Sequence, residues 1–326
     1  MNKQHIAFPS IEQFRSVIKH IKYNCSYHGV PLPTLTFTGT VKLHGTNHGI
    51  CRAPSGEIYT QSRERITTFE SDNAGSHVWT IQNAGLFQQV FDRICFHYKV
   101  GIRDTIQIFG EWCGGNIQKG VGLNFIPKQF IVFAIRVSEN AESTVFFSHL
   151  DVYDVCDGII PTIYDFPTFT LDIDFARPEV AQSALIAKTA EVEQDCPVSR
   201  QILGKDFPHP LVGEGIVWTT VYNSNTLRFK VKGEKHSSSK VKTLAPVDVE
   251  KIESIREFVA SVVTTSRLEQ GLEHVTAREP KYTGDFLKWV MSDIYKEESD
   301  TMIANGFTSK ECSSPLATAI KQWFLQ

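Results

Sequence analysis

The chain has no stretch of 18 or more apolar residues, so its sequence offers no helix that would cross a membrane. Its first residues, MNKQHIAFPSIEQF, have no basic segment followed by an apolar one, and they read as carrying no secretory signal. No Cys-x-x-Cys pair occurs. The seven cysteines (Cys25, Cys51, Cys95, Cys113, Cys156, Cys196 and Cys312) are odd in number and scattered. They read as reduced thiols of a cytosolic protein, neither a disulfide framework nor a zinc site. A large charge of either sign is also missing: 33 Lys+Arg face 36 Asp+Glu, for a net charge of −3. That balance excludes bulk, sequence-blind attraction to nucleic acid, although it leaves room for a local basic groove. There is no internal repeat and no low-complexity tract.

What is there is ordinary globular material. Apolar residues make up 41% and charged residues 21% of 326 positions, which excludes a disordered chain and suggests about two domains. Residues 35–61 alternate β-branched or apolar residues with small polar ones, and Pro54-Ser55-Gly56 supplies a turn between two strands. Val78, Ile81, Leu86, Val90 and Ile94 recur at helical spacing, which predicts a helix within 76–99. Residues 105–112 and 129–137 are apolar runs of strand length. Residues 211–232 predict two strands around Asn223-Ser224-Asn225.

The pattern changes near Pro246. Ile252, Ile255, Phe258, Val259 and Val262 mark one helical face, with Asp248 as a plausible cap. Phe286, Val290 and Ile294 repeat every four residues. Ser314-Pro315 reads as a cap followed by proline at the first position of a last helix. The expectation is an α+β protein: a β-rich domain over 1–244, largely antiparallel, and a small all-helical domain over 245–326. Lys235 to Lys242, with three consecutive serines, is the most polar segment and a candidate linker or substrate-facing loop.

Chemistry concentrates at Lys42-Leu43-His44-Gly45-Thr46-Asn47, where a strand pattern ends. Strand alternation puts Lys42 and His44 on one face, and Gly45 lets a phosphate approach the backbone closely. Lysine is a nitrogen nucleophile only when neutral. At pH 7 roughly one free lysine in a thousand is neutral, so nearby cations or burial must favour that form. Lys230 and Lys232 alternate on a strand and could supply such cations. Taken alone, KLHGTN is equally an ordinary strand ending in a glycine turn.

Five further segments follow in order: Ser62-Arg63-Glu64-Arg65, Phe109-Gly110-Glu111-Trp112, Phe130-Ile131-Val132-Phe133, Glu214-Gly215-Ile216-Val217 and Arg228-Phe229-Lys230-Val231-Lys232. Together with KLHGTN they resemble the six motifs of the RNA ligase 2 family. This is a branch of the covalent nucleotidyltransferases that also include DNA ligases and capping enzymes. DNA ligases and capping enzymes usually carry Asp before the motif glycine. His44 and Thr46-Asn47 resemble the RNA ligase 2 branch instead, and the similarity spans nearly the whole chain.

The resemblance implies an adenylyltransferase core and a helical module that helps engage nucleic acid, with no OB-fold signature. It implies ATP as the nucleotide, Mg²⁺ or Mn²⁺ as the metal, and RNA as the partner, acted on by a monomer at a nick or break in a duplex. Phage-type relatives imply the cytoplasm of an infected bacterium. Residue by residue, the resemblance implies that Lys42 attacks the α-phosphorus of ATP and carries AMP. Lys230 and Lys232 neutralise the triphosphate. Glu111 contacts the ribose hydroxyls, since a carboxylate accepts two hydrogen bonds from a diol. Glu214 helps hold the metal.

Phe133 stacks on adenine in that scheme, although its strand position also suits a core residue. Arg63 binds the 5′-phosphate, with Arg65 on the same face as the competing choice. Asn47 orients the 3′-OH or the 5′-phosphate, and His44 contacts phosphate or the pyrophosphate side. Gln118 and Lys119 are weaker candidates, and Lys235, Lys240 and Lys242 could meet RNA phosphates. Two positions depart from the family pattern: Val41 stands where Glu is common, and Ala134 where Asp is common. Two rivals use the same fold, a capping-type guanylyltransferase and a catalytically silent nucleic-acid-binding module.

Overall fold

In the computed structural model, residues 3–101, 104–138, 144–236 and 248–326 are described, without side chains for 248–253. The chain divides into two compact units, residues 1–233 and 234–326. The expected boundary at 244/245 lies outside the described residues, as do Lys240 and Lys242. No described helix is long and apolar enough to cross a membrane.

The first unit is α+β, built on two antiparallel sheets. Helix α1 (Phe14–His28) precedes β1 (Thr34–Val41), β2 (Thr46–Arg52), β3 (Ile58–Gln61) and β4 (Ile66–Thr67). Then come α2 (Ser76–Gln82), α3 (Ala84–Tyr98), β5 (Thr105–Cys113), β6 (Gln129–Ser138), β7 (Thr144–Phe146) and α4 (His149–Cys156). The unit closes with β8 (Phe169–Asp174), α5 (Gln182–Gln194), α6 (Pro197–Leu203), β9 (Gly215–Tyr222) and β10 (Asn225–Lys232). One sheet has the order β10-β9-β1-β8 and the other β4-β3-β2-β5-β6-β7. The expected turns are present: Gly56 has φ +84°, and Asn223 and Ser224, at φ 49° and 61°, form the tight left-handed hairpin turn that joins β9 to β10.

Each sheet has its own apolar layer. Val17, Ile21 and Cys25 of α1 share a buried cluster with Phe37, Trp218 and Phe229 of the first sheet. Ile106, Ile108, Phe130 and Val132 of the second sheet pack with Phe87, Phe91 and Ile94 of α3 and with Val152 of α4. Between β5 and β6 the register shifts, so Phe109 faces Ala134 but Gly110 faces Val132. Phe133 is therefore the extra residue of a bulge, the device that turns a side chain out of a regular ladder. Gly110 makes the close approach possible, because a Cβ there would lie 2.4 Å from the Phe130 ring.

Two helix boundaries differ from the sequence expectation. The helix expected within 76–99 is two helices broken at Asn83, whose φ of −112° leaves the helical region. Its side chain donates to the Trp79 carbonyl at 2.8 Å, so it competes with the helical ladder. Ile81, counted in the apolar stripe, is 41% exposed as a result.

In the second unit, α7 (Asp248–Val262), α8 (Thr265–Leu272), α9 (Thr283–Glu297), α10 (Ser299–Ala304) and α11 (Ser309–Phe324) enclose Phe258, Phe286, Leu316 and Phe324. The expected contributions of Asp248 and Ile252 fall among the side chains not described. Helix α11 starts before Ser314-Pro315, and Pro315 lies inside it. A capping box decides the start: Thr308 accepts from the Glu311 amide, and Glu311 accepts from the Thr308 amide at 2.8 Å.

Candidate active site

The KLHGTN segment crosses from one sheet to the other. Lys42 follows β1 in the first sheet, and its amide donates to the Gly215 carbonyl at 2.8 Å. Thr46 and Asn47 begin β2 in the second sheet. Gly45 sits at the crossing, where an added Cβ would lie 2.3 Å from the Trp112 carbonyl oxygen. No other residue fits there, which explains the glycine on steric grounds.

Glu214, just before β9, gathers the cations. Lys42 Nζ donates to its Oε2 at 2.7 Å, and His44 Nδ1 lies 3.0 Å from the same oxygen. Lys232 Nζ lies 3.6 Å from Oε1. The Glu214 side chain is only 3% exposed, against 21% for Lys42 and 24% for Lys232. Burial alone would push its carboxyl up, but Lys42 first, then His44 and Lys232, hold it well below the usual carboxylate range. Lys230 shares the Lys232 face of β10, opposite Val217.

Glu111, in β5, holds the motif backbone. Its Oε1 accepts from the Gly45 amide at 2.8 Å and its Oε2 from Asn47 Nδ2 at 2.9 Å. Burial pushes its carboxyl up to about 7, against the pull of Lys42, the Gly45 amide and His44 and with the help of the Glu214 charge. Gln118 Nε2 donates to the Gly45 carbonyl at 3.3 Å, so this candidate supports the loop from the other side.

The remaining candidates stand further out. Phe133 is half-buried on its bulge, packed against the first sheet's apolar layer and a separate cluster of Cys51, Tyr59 and Phe109. Arg63 is exposed between β3 and β4, 3.5 Å from Glu64. Arg65 is half-buried and turns toward the Ser71 carbonyl at 3.4 Å. Lys119 and Lys235 are exposed. The two departures from the family pattern are filled by apolar packing: Val41 and Ala134 are each 3% exposed, in separate apolar clusters.

The sequence reading missed the loop before α2. Asn73 Nδ2 donates to Thr46 Oγ1 at 2.8 Å, and Asp72 accepts from the His77 and Val78 amides. Trp112 Nε1 and Lys128 Nζ both donate to the Ala74 carbonyl. The turn-forming run Asp72-Asn73-Ala74-Gly75 was the available signal, but nothing local ties it to Thr46.

Among the described residues no group of three or more His, Cys, Asp or Glu could hold a metal. The site has two carboxylates, Glu111 and Glu214, and Mg²⁺ keeps several waters and binds through one or two carboxylates plus substrate phosphates. Glu214 is the residue that fits.

No curated protein matches the chain. Solved structures similar to this chain include the Naegleria gruberi RNA ligase, as mutants with AMP and Mn or with ATP and Mn, at 14% and 16% identity and a TM-score of 0.46. The likeness covers 71% of this chain and 57% of that one, so the chain spans little more than half of the Naegleria enzyme. An archaeal ATP-dependent RNA ligase aligns over 98% of this chain and 64% of its own, at 12% identity and a TM-score of 0.43. The family model described as RNA ligase matches residues 35–232, from the first strand to Lys232 and across every motif above. The chain belongs to the RNA ligase family.

Proposed function

We propose that the chain is an ATP-dependent RNA ligase that joins 3′-OH and 5′-phosphate RNA ends at nicks in duplexes. The single observation that carries the reading is the Glu214 hub: one buried carboxylate that holds Lys42, His44 and Lys232 within 2.7–3.6 Å. In this scheme the Nζ of Lys42 attacks the α-phosphorus of ATP. The bond from that phosphorus to the bridging oxygen breaks, pyrophosphate leaves, and the nitrogen loses its proton. AMP then passes from Lys42 to the RNA 5′-phosphate, and the 3′-OH attacks that phosphate and expels AMP.

Attack needs the lone pair of Nζ, which donates to Glu214 in the arrangement described. Lys42 must therefore lose a proton before it reacts; the neutral amine can still donate an N–H to Glu214 while its lone pair attacks. Lys230 and Lys232 stabilise the triphosphate charge, and Glu111 fixes the loop through Gly45 and Asn47. A divalent ion at Glu214 would clamp the phosphates electrostatically. Phe133, turned out by its bulge, is the base-stacking residue, and Arg63 the acceptor-phosphate contact. On resemblance to phage-type enzymes alone, the setting is a monomer in a bacterial cytoplasm.

The test is covalent labelling with α-³²P ATP and Mg²⁺, wild type beside Lys42→Ala. Label on the wild type alone is expected. No label on a wild type that mass spectrometry shows free of AMP would sink the ligase mechanism. Label that survives Lys42→Ala would mean that another lysine is the nucleophile.

A further inference from the structure

We propose that the outer face of α1 is an RNA-docking surface, separate from the nucleotide site. The inference rests on the reading of RNA as substrate and adds where a length of it binds beyond the reacting ends.

The first observation is charge. Although the chain is acidic overall, no Asp or Glu occurs between Glu12 and Glu57. Every charged residue of α1 is a cation. Arg15, Lys19 and Lys22 follow at i, i+4 and i+7, which makes one stripe on the helix. Lys19 and Lys22 are exposed and Arg15 half-buried.

The second observation is aromatic. Tyr23 and Tyr27 run beside the cationic stripe, 69% and 73% exposed, with ring centroids 6.2 Å apart and planes 20° from parallel. His28 stands edge-on to Tyr27 at 5.0 Å. Large rings in water gain nothing for the fold of the unit, whose apolar contact comes from the other helix face through Val17, Ile21 and Cys25.

Cations beside flat, accessible rings match a single-stranded stretch of polynucleotide, whose phosphates and unpaired bases are both within reach. From Arg15 to Tyr27 the helix rises about 18 Å, long enough to meet several nucleotides.

The placement connects this surface with the site. The chain just before α1 pairs with the edge strand β10: the Glu12 amide donates to Arg228 and the Lys230 amide to Glu12. Helix α1 then packs on the Phe229 side of β10, with the Phe14 and Phe229 rings 4.8 Å apart. Alternation puts Lys230 and Lys232 on the opposite side. RNA that leaves the reacting ends past β10 meets α1 after passing round that edge.

The test uses the full chain and two double variants, Lys19→Glu with Lys22→Glu, and Tyr23→Ala with Tyr27→Ala. All four positions are exposed and outside the nucleotide site, so lysyl-AMP formation from ATP without RNA should match wild type in both. Binding is read by anisotropy of a fluorescein-labelled, 5′-phosphorylated RNA hairpin nicked in its stem and extended by a single-stranded tail, over a range of salt. The charge variant should bind at least about 10-fold more weakly, with a salt slope smaller by roughly 1.5–2. The tyrosine variant should bind about 5-fold or more weakly with the slope unchanged. Both variants binding like wild type, with lysyl-AMP intact, would overturn this surface and leave the ligase reading standing. A wild type that forms lysyl-AMP but never binds the RNA would overturn the RNA reading and this surface with it.

Discussion

Two corners of the site each hold a glutamate, Glu214 buried and Glu111 half-buried, and they treat it in opposite ways. At the first sheet, Glu214 faces Lys42, His44 and Lys232, and these three side chains hold its carboxyl well below the usual range. At the second sheet, Glu111 faces a backbone amide and an asparagine, and burial pushes its carboxyl up to about 7. The same side chain is thus a charge hub in one corner and a backbone clamp in the other. Burial penalises both carboxylates, and the nearest partners decide which way each one goes. Charge thus gathers around Lys42, while hydrogen bonds to Glu111 fix the Gly45 and Asn47 end of the segment that follows it.

The sharpest way to break this contrast is Glu214→Gln. Removing one partner of a buried ion cluster leaves the cations uncompensated, so a stability loss of about 3 kcal/mol is expected by chemical denaturation. Lysyl-AMP formation should fall by roughly 10²-fold. A variant as stable as wild type would mean that Glu214 is not the hub. The pH signature follows from the direction of the shift. A depressed carboxyl stabilises the fold above the ordinary value of 4.5 and loses that contribution as pH falls below it. Glu214→Gln should therefore flatten the acid limb of the stability curve.

Gly45→Ala attacks the other corner without touching a charge. With 2.3 Å from the new Cβ to the Trp112 carbonyl, the loop must shift and lose the Gly45 amide bond to Glu111. About 3 kcal/mol of stability should disappear, read as a lower melting temperature.

Glu111→Gln sharpens the comparison by pH alone. A carboxyl raised from 4.5 to about 7 keeps its proton in the fold while the unfolded chain has lost it. Wild-type stability should consequently fall as pH rises from about 4.5 to 7, by on the order of 2 kcal/mol. The variant should lack that slope, and denaturation at several pH values decides it. Asn47→Ala is the mildest change. It removes one hydrogen bond to Glu111 and should cost about 1 kcal/mol while Lys42 keeps its Glu214 partner.

How much of this was legible beforehand differs by element. The strands around Pro54-Ser55-Gly56 and Asn223-Ser224-Asn225 show in their alternation and turn residues, because a hairpin is decided within a dozen residues. The start of α11 was readable in Thr308 and Glu311, yet Ser314-Pro315 offered a competing signal and drew the boundary too late. The break at Asn83 lay under an apolar spacing that continued across it. The partition of the strands into two sheets had no local signal: β1 pairs with β8 and β9, segments more than a hundred residues away.

The sequence by itself determined the family. Lys42, Glu111, Glu214, Lys230 and Lys232 stand in motifs whose order and residue types resemble it, and the family model matches across all of them. Only the tertiary structure decided who holds whom. That Glu214 takes Lys42 and His44, while Glu111 takes Gly45 and Asn47, depends on β1 and β2 entering different sheets within a few residues. Alternation within a strand can tell which side chains share a face, but it carries no information about which distant strand the face will meet.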